Sequence, residues 1–138
     1  MPFMEDVAFL LVANGFGTVG TNIFYSTRAK IPVGNGPYVS LIETGGLAPE
    51  KTQNRKTKPA YQRPGLQVIV RATDYIVARN RAVEVYNTIS AVRNQFVGNA
   101  PGTWYLNMAP QQEPFDGGSD EQGRPKVLFN IIAYKRAA

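Results

Sequence analysis

Two segments, Tyr38–Glu43 and Gly65–Arg71, alternate apolar and polar side chains as β-strands do, and residues 44–64 between them are polar. That interruption carries Lys51, Arg55, Lys56, Lys58 and Arg63 against one acid, Glu50, with Tyr61 its one aromatic. A stretch so poor in apolar residues cannot build a core of its own. A compact domain rarely keeps a structureless loop of this length without a use for it. The chain therefore reads as a building block whose loops act on something outside it. Residues 44–64 have three readings: a solvated insertion, an arm that binds a partner or another subunit, or a direct nucleic-acid contact. With Tyr61 alone the stretch is a poor platform for base stacking, although Lys56, Lys58 or Arg63 could meet backbone phosphates.

Around that loop the pattern predicts two helices and five strands. Pro2–Asn14 reads as a helix, with Pro2 in the first turn and Glu5 and Asp6 at the positive end of the dipole. Its apolar arc, which includes Phe3, Val7, Leu10 and Leu11 and is widened by Phe9 and Val12, implies contact on more than one side. The second helix is expected over Tyr75–Phe96, capped by Thr73 or Asp74, with Ala78, Ala82, Val85, Ile89, Val92 and Phe96 at spacings of three and four. Strands are expected over Thr21–Tyr25, Thr103–Met108 and Lys126–Tyr134 as well. Trp104, Leu106 and Met108 share one face, and the last two strands pair if residues 109–125 fold back. Residues 1–138 thus read as a single α+β domain: two helices packed against a mainly antiparallel sheet of four to five strands, with a long basic loop. The strands offer apolar residues on both faces, which suits a sheet covered by helices on one side and by a partner on the other.

Composition narrows the function. The chain has no cysteine and no histidine. Thiolate chemistry, disulfides, histidine-based triads and the usual zinc sites are therefore excluded. An enzyme would need paired carboxylates such as Glu43 and Glu84, and nothing in the sequence places them together. The expectation is no catalytic residue, no cofactor, no metal and no small-molecule substrate. Residues 7–13 are apolar but far too short to span a bilayer, and acids precede them where a signal peptide carries bases, so no membrane association is expected. The glycine spacing Gly15-Gly17-Gly20 matches a dinucleotide fingerprint but follows a helix and precedes a strand, the reverse of what that site needs. It reads as a turn.

Charge is segregated along the chain. The formal net charge is +5, and residues 51–63 are basic. Residues 109–125 hold Glu113, Asp116, Asp120 and Glu121 against Arg124, without the order of a calcium loop. On opposite edges of one subunit these stretches complement each other head to tail, the geometry that closes into a ring or runs on as a filament. The candidate interface residues are Lys51, Arg55, Lys56, Lys58, Tyr61, Arg63, Glu113, Asp116, Asp120 and Glu121. Arg79, Arg81 and Arg93 are candidates for the polar lining of a ring opening.

Over most of its length the chain resembles the tail terminator, or tail completion (minor capsid), proteins of long-tailed bacteriophages. The resemblance rests on the apolar N-terminal helix Phe3–Val12, the block Ile31–Gly46, the run Tyr61–Arg71 with its Tyr61-Gln62-Arg63-Pro64-Gly65 start, the helix Tyr75–Phe96 and the strand Val127–Tyr134 after a Pro- and Gly-rich turn. It implies a small α/β subunit of a hexameric ring in the virion, at the head-proximal end of the tail. Such a ring stops polymerisation of the tail tube protein and helps join the tail to the head, with assembly in the host cytoplasm. The implied partners are other copies of the chain, the tube protein and a head completion or connector protein, and double-stranded DNA passes through the opening. A head-completion or neck connector protein is the nearest alternative, and a basic nucleic-acid-binding module is another.

Overall fold

A computed structural model describes residues 3–25, 34, 36–50 and 61–136, with the side chains of residues 48–50 outside that description. The order of elements is α1 (Phe3–Ala13), β1 (Ile23–Tyr25), β2 (Tyr38–Glu50), β3 (Tyr61–Arg71), α2 (Tyr75–Ser90), β4 (Arg93–Val97), β5 (Thr103–Pro110), β6 (Phe115–Ser119) and β7 (Pro125–Arg136). Two helices pack against one mixed sheet of seven strands in the order β1-β2-β3-β7-β5-β4, with β6 also paired to β7. Only β1 and β2 run parallel; the remaining pairs are antiparallel. The expectation of two helices on a mainly antiparallel sheet holds, but seven strands replace four to five.

Both helices bury one stripe against one face of the sheet. Phe3, Val7 and Leu11 of α1 and Ala78, Ala82, Val85 and Ile89 of α2 meet Leu66, Val68 and Val70 of β3 and Val127, Phe129, Ile131 and Ala133 of β7. Alternation along each strand sends Ile69, Leu128, Ile132 and Tyr134 to the other face, where they are half-buried. No helix among the described residues covers that face. Phe9 and Val12, counted in the wide arc of α1, stand 44% and 41% exposed, so α1 packs on one side rather than several.

Three expectations are corrected. First, most of the supposed loop at 44–64 belongs to a long hairpin. Strand β2 runs on to Glu50 and β3 starts at Tyr61, with Glu50 opposite Tyr61 and Leu47 opposite Arg63. Register shifts after Thr44 and again after Leu47 let the strand pass through Gly45 and Gly46. Gly46 has φ +62°, and a Cβ there would collide with the Arg63 carbonyl oxygen and lie 2.6 Å from the Gly65 nitrogen. Backbone pairing needs no apolar side chain, which is why a polar stretch extends both strands. Residues 51–60, with Lys51, Arg55, Lys56 and Lys58, lie outside the described residues.

Second, α2 ends at Ser90, not at Phe96. Asp74 caps its start by accepting a hydrogen bond from the Ile76 N–H at 3.2 Å, and Ala91 closes its end by donating to the carbonyls of Asn87 and Ile89. Arg93–Val97 then forms β4 on β5, and Asn94 takes φ +46°, which no helix tolerates. Val92 stays buried, whereas Phe96 is 58% exposed and stacks edge-on against Trp104.

Third, β5 does not keep one face. A register shift between Tyr105 and Asn107 turns the strand, so Tyr105 and Met108 are buried while Leu106 is exposed. As expected, β5 pairs with β7, but it covers only the C-terminal half of that strand. The acidic segment supplies β6 for the N-terminal half, with Phe115 opposite Leu128 and Asp116 opposite Val127. At the junction the Asn130 carbonyl accepts from the Gln111 N–H, and the Asn130 N–H donates to Gln112 Oε1, both at 2.8 Å. The glycine-rich run after α1 is a turn leading into β1, as its position in the sequence implied.

Candidate interface surfaces

The sheet brings residues distant in sequence to one end of its uncovered face. The β3–β7 register places Arg63 opposite Tyr134 and Tyr61 opposite Arg136. The Arg63 guanidinium carbon is 5.9 Å from the centre of the Tyr134 ring. That of Arg136 is 5.3 Å from the Trp104 ring, and Phe96 lies 5.1 Å edge-on to the same ring. Such cation–π contacts hold a guanidinium flat against an aromatic ring. Of the expected interface residues, Arg63 and Tyr61 are thus placed on this surface, both half-buried. Sequence reading missed Arg136, Trp104 and Phe96, because only the pairing of β4, β5 and β7 brings them together.

The acidic residues separate into two groups. Glu113, Asp116 and Glu121 are exposed, in the β5–β6 connection, on β6 and in the β6–β7 turn. None of them forms an ion pair with a described residue. Asp120 differs in the contacts it makes within the chain. Its Oδ1 accepts from the backbone N–H groups of Gln122 and Arg124 at 3.0 and 2.8 Å, and its Oδ2 meets Arg124 Nε at 2.8 Å and Arg71 Nη1 at 3.5 Å. Arg124 also donates to the Gly34 carbonyl at 3.0 Å, and the buried Arg71 lies 5.2 Å over the Tyr38 ring. Asp120 therefore ties the β6–β7 turn to the end of β3.

Desolvation of Asp120 raises its pKa, but the N–H donors of Arg124 and Gln122 and the Arg124 charge outweigh it and hold the carboxyl below its ordinary 3.8. A depressed carboxylate contributes stability that is complete above 3.8 and is lost as pH falls through the lower folded-state pKa. Asp120→Asn is expected to lower the urea midpoint at neutral pH and to flatten the loss of stability below about pH 4. Urea titrations of the two proteins from pH 7 down to pH 2 check this.

The three arginines expected to line an opening fall on two elements. Arg79, on α2, donates to the Pro114 carbonyl at 3.1 Å and so holds the β5–β6 connection against the helix. Arg81, also on α2, stacks 5.3 Å from the Phe16 ring. Arg93 is exposed on β4 and is not a helix residue.

A buried polar pair was also missed. Asp6, expected only to complement the helix dipole, is fully buried, and the hydroxyl of the equally buried Tyr105 donates to its Oδ2 at 2.5 Å. Its Oδ1 has no hydrogen-bond partner among the described residues. Burial raises the pKa of Asp6, with the Tyr105 hydroxyl and the nearby Lys135 charge opposing. Burial first, then the Asp6 carboxylate, raises that of Tyr105 too. This pair joins α1 to β5 inside the core and offers no open site for chemistry.

Among the described residues no cluster of three or more acids could hold a metal ion, and no helix is long and apolar enough to cross a membrane. Residues 10–135 match the family described as bacteriophage tail terminator protein. The chain belongs to that family. It is therefore a structural protein of phage tail assembly, associated with the virion tail. A chain in the solved structure titled "Virion of native gene transfer agent (GTA) particle" shares the fold. It has a TM-score of 0.58 and 14% identity, over 94% of this chain and 86% of the other. No curated protein matches the chain.

Proposed function

We propose that this tail terminator works as a hexameric ring that closes the head-proximal end of the tail tube. The ring stops addition of tube protein, presents its opposite face to a head completion or connector protein, and leaves an opening for double-stranded DNA. The observation that carries this reading is the family match over residues 10–135. The fold supports it, because the helices and the sheet of the described residues form one layered block that presents charge towards the ends of the sheet. The interface is assigned to the basic residues Lys51, Arg55, Lys56, Lys58 and Arg63 with Tyr61, and to the acidic residues Glu113, Asp116, Asp120 and Glu121. The opening is assigned a polar lining that includes Arg79, Arg81 and Arg93.

Purified tube protein polymerised with and without the terminator tests this. Tubes grown with it should be shorter, with a cap on one end in negative-stain images. Tubes of unchanged length with bare ends would refute the proposal, and selective binding to head connectors instead would assign the chain to the neck.

A further inference from the structure

The cation–aromatic surface and the acidic β6 segment belong to opposite ends of the same strand. Arg63 and Arg136 lie at the C-terminal end of β7, and Asp116 is opposite Val127 near its start. A strand rising roughly 3.3 Å per residue separates them by about 30 Å. The Debye length at physiological salt is about 8 Å, so the two groups cannot neutralise each other within one molecule. Arg136, Glu113, Asp116 and Glu121 form no ion pair with a described residue.

The apolar groups match as well. Leu47 and Phe96, 50% and 58% exposed, flank the arginine surface, and Phe115, 41% exposed, stands in the acidic strand. A phosphate backbone would pair with Arg136 and leave Leu47 and Phe96 without a partner. A strand bearing Phe115 between carboxylates satisfies both. Arginine and aromatic side chains at the centre of a contact, with charge at its rim, are typical of protein interfaces.

We infer that the surface formed by Leu47, Arg63, Tyr134, Arg136, Trp104 and Phe96 receives the Glu113–Glu121 segment of a second copy of this chain. The contact is heterologous: each copy offers one surface to each neighbour, as a closed ring requires. It rests on the ring reading above and specifies which surfaces meet.

The absence of cysteine makes this testable without background, since any introduced thiol is unique. Arg136→Cys and Asp116→Cys are prepared singly and together and treated with a short bis-maleimide, alone and in the presence of tail tubes. A mixture of the single variants should give a covalent dimer at least tenfold more abundant than either variant alone. The double variant should give a ladder. Charge reversal supplies a second readout. Arg63→Glu with Arg136→Glu, and separately Glu113→Lys with Asp116→Lys, should each reduce assembled species at least tenfold. Mixing the two reversed proteins should restore assembly, because every contact in an alternating ring is then complementary.

Cross-linking of Arg136→Cys to itself would overturn the head-to-tail contact. So would loss of duplex DNA binding on reversing the arginines while assembly stays intact. If neither cross-links nor charge effects appear while wild-type protein still caps tubes, this contact is wrong and the terminator function stands. If the wild-type protein ignores tubes, both fall.

Discussion

Tyr105→Phe is expected to cost about 3 kcal/mol of stability at neutral pH, although it removes a single oxygen atom. The hydroxyl donates to the fully buried Asp6 carboxylate, whose other oxygen has no hydrogen-bond partner among the described residues. Breaking one side of a buried polar pair leaves the other side desolvated and unpaid, which costs more than the bond contributes when intact. The pH dependence identifies the mechanism. Burial raises the folded-state pKa of Asp6 above its ordinary 3.8, so the folded protein holds that proton more tightly than the unfolded chain does. Its contribution is fully favourable below 3.8 and is lost as pH rises through the raised value. At neutral pH the charge is a standing cost that the Tyr105 hydroxyl and Lys135 partly offset. The Tyr105→Phe deficit should therefore shrink as pH falls and Asp6 takes up its proton. Adding Asp6→Leu to Tyr105→Phe should recover much of the loss at pH 7, since both polar groups are then gone. Urea unfolding of the two variants and wild type at several pH values measures all of this. A deficit that stays constant with pH would mean that only packing around the ring had changed.

The opposite signs of Asp6 and Asp120 show what sequence reading could and could not reach. Both look like surface acids, one at a helix start and one in a turn-rich acidic stretch. Their environments come from pairings that cross the chain: Asp6 with Tyr105 and Asp120 with Arg71. No local pattern encodes those. The helix stripe Ala78-Ala82-Val85-Ile89 was legible because periodicity reports burial directly. It misled at Val92 and Phe96, where spacing continues the stripe by coincidence while Asn94 and the pairing with β5 set a strand. The hairpin was misread for a different reason. Polar residues at 44–50 and 61–64 hide strands whose stabilisation is backbone pairing rather than side-chain burial. The register of β3 on β7, running on to Tyr61 opposite Arg136, is what brings Arg63 to Tyr134. The family resemblance was legible from the texture of the whole chain, but the cation–aromatic surface, assembled from four strands, was not.

Phe129→Ala is expected to cost about 3–5 kcal/mol, enough to remove much or all of the stability of a domain this size. Phe129 is fully buried on β7, directly opposite Val68 of β3, and its ring meets Tyr86 of α2 edge-on at 5.5 Å. Strand β7 is the one that β3 borders on one side and β5 and β6 share on the other. A cavity under it thus loosens the helix and three strand pairings together. Arg136→Ala, on the same strand but exposed, should change the stability of the isolated chain by less than about 1 kcal/mol. Its effect should fall on assembly instead. Thermal and urea unfolding of the two variants, set beside their sedimentation with tail tubes, separates the roles. Phe129→Ala should fail in the first measurement, and Arg136→Ala should pass it and fail in the second. Comparable losses of stability in both would mean that the arginine surface serves the fold itself, and its exposed cations would need another explanation.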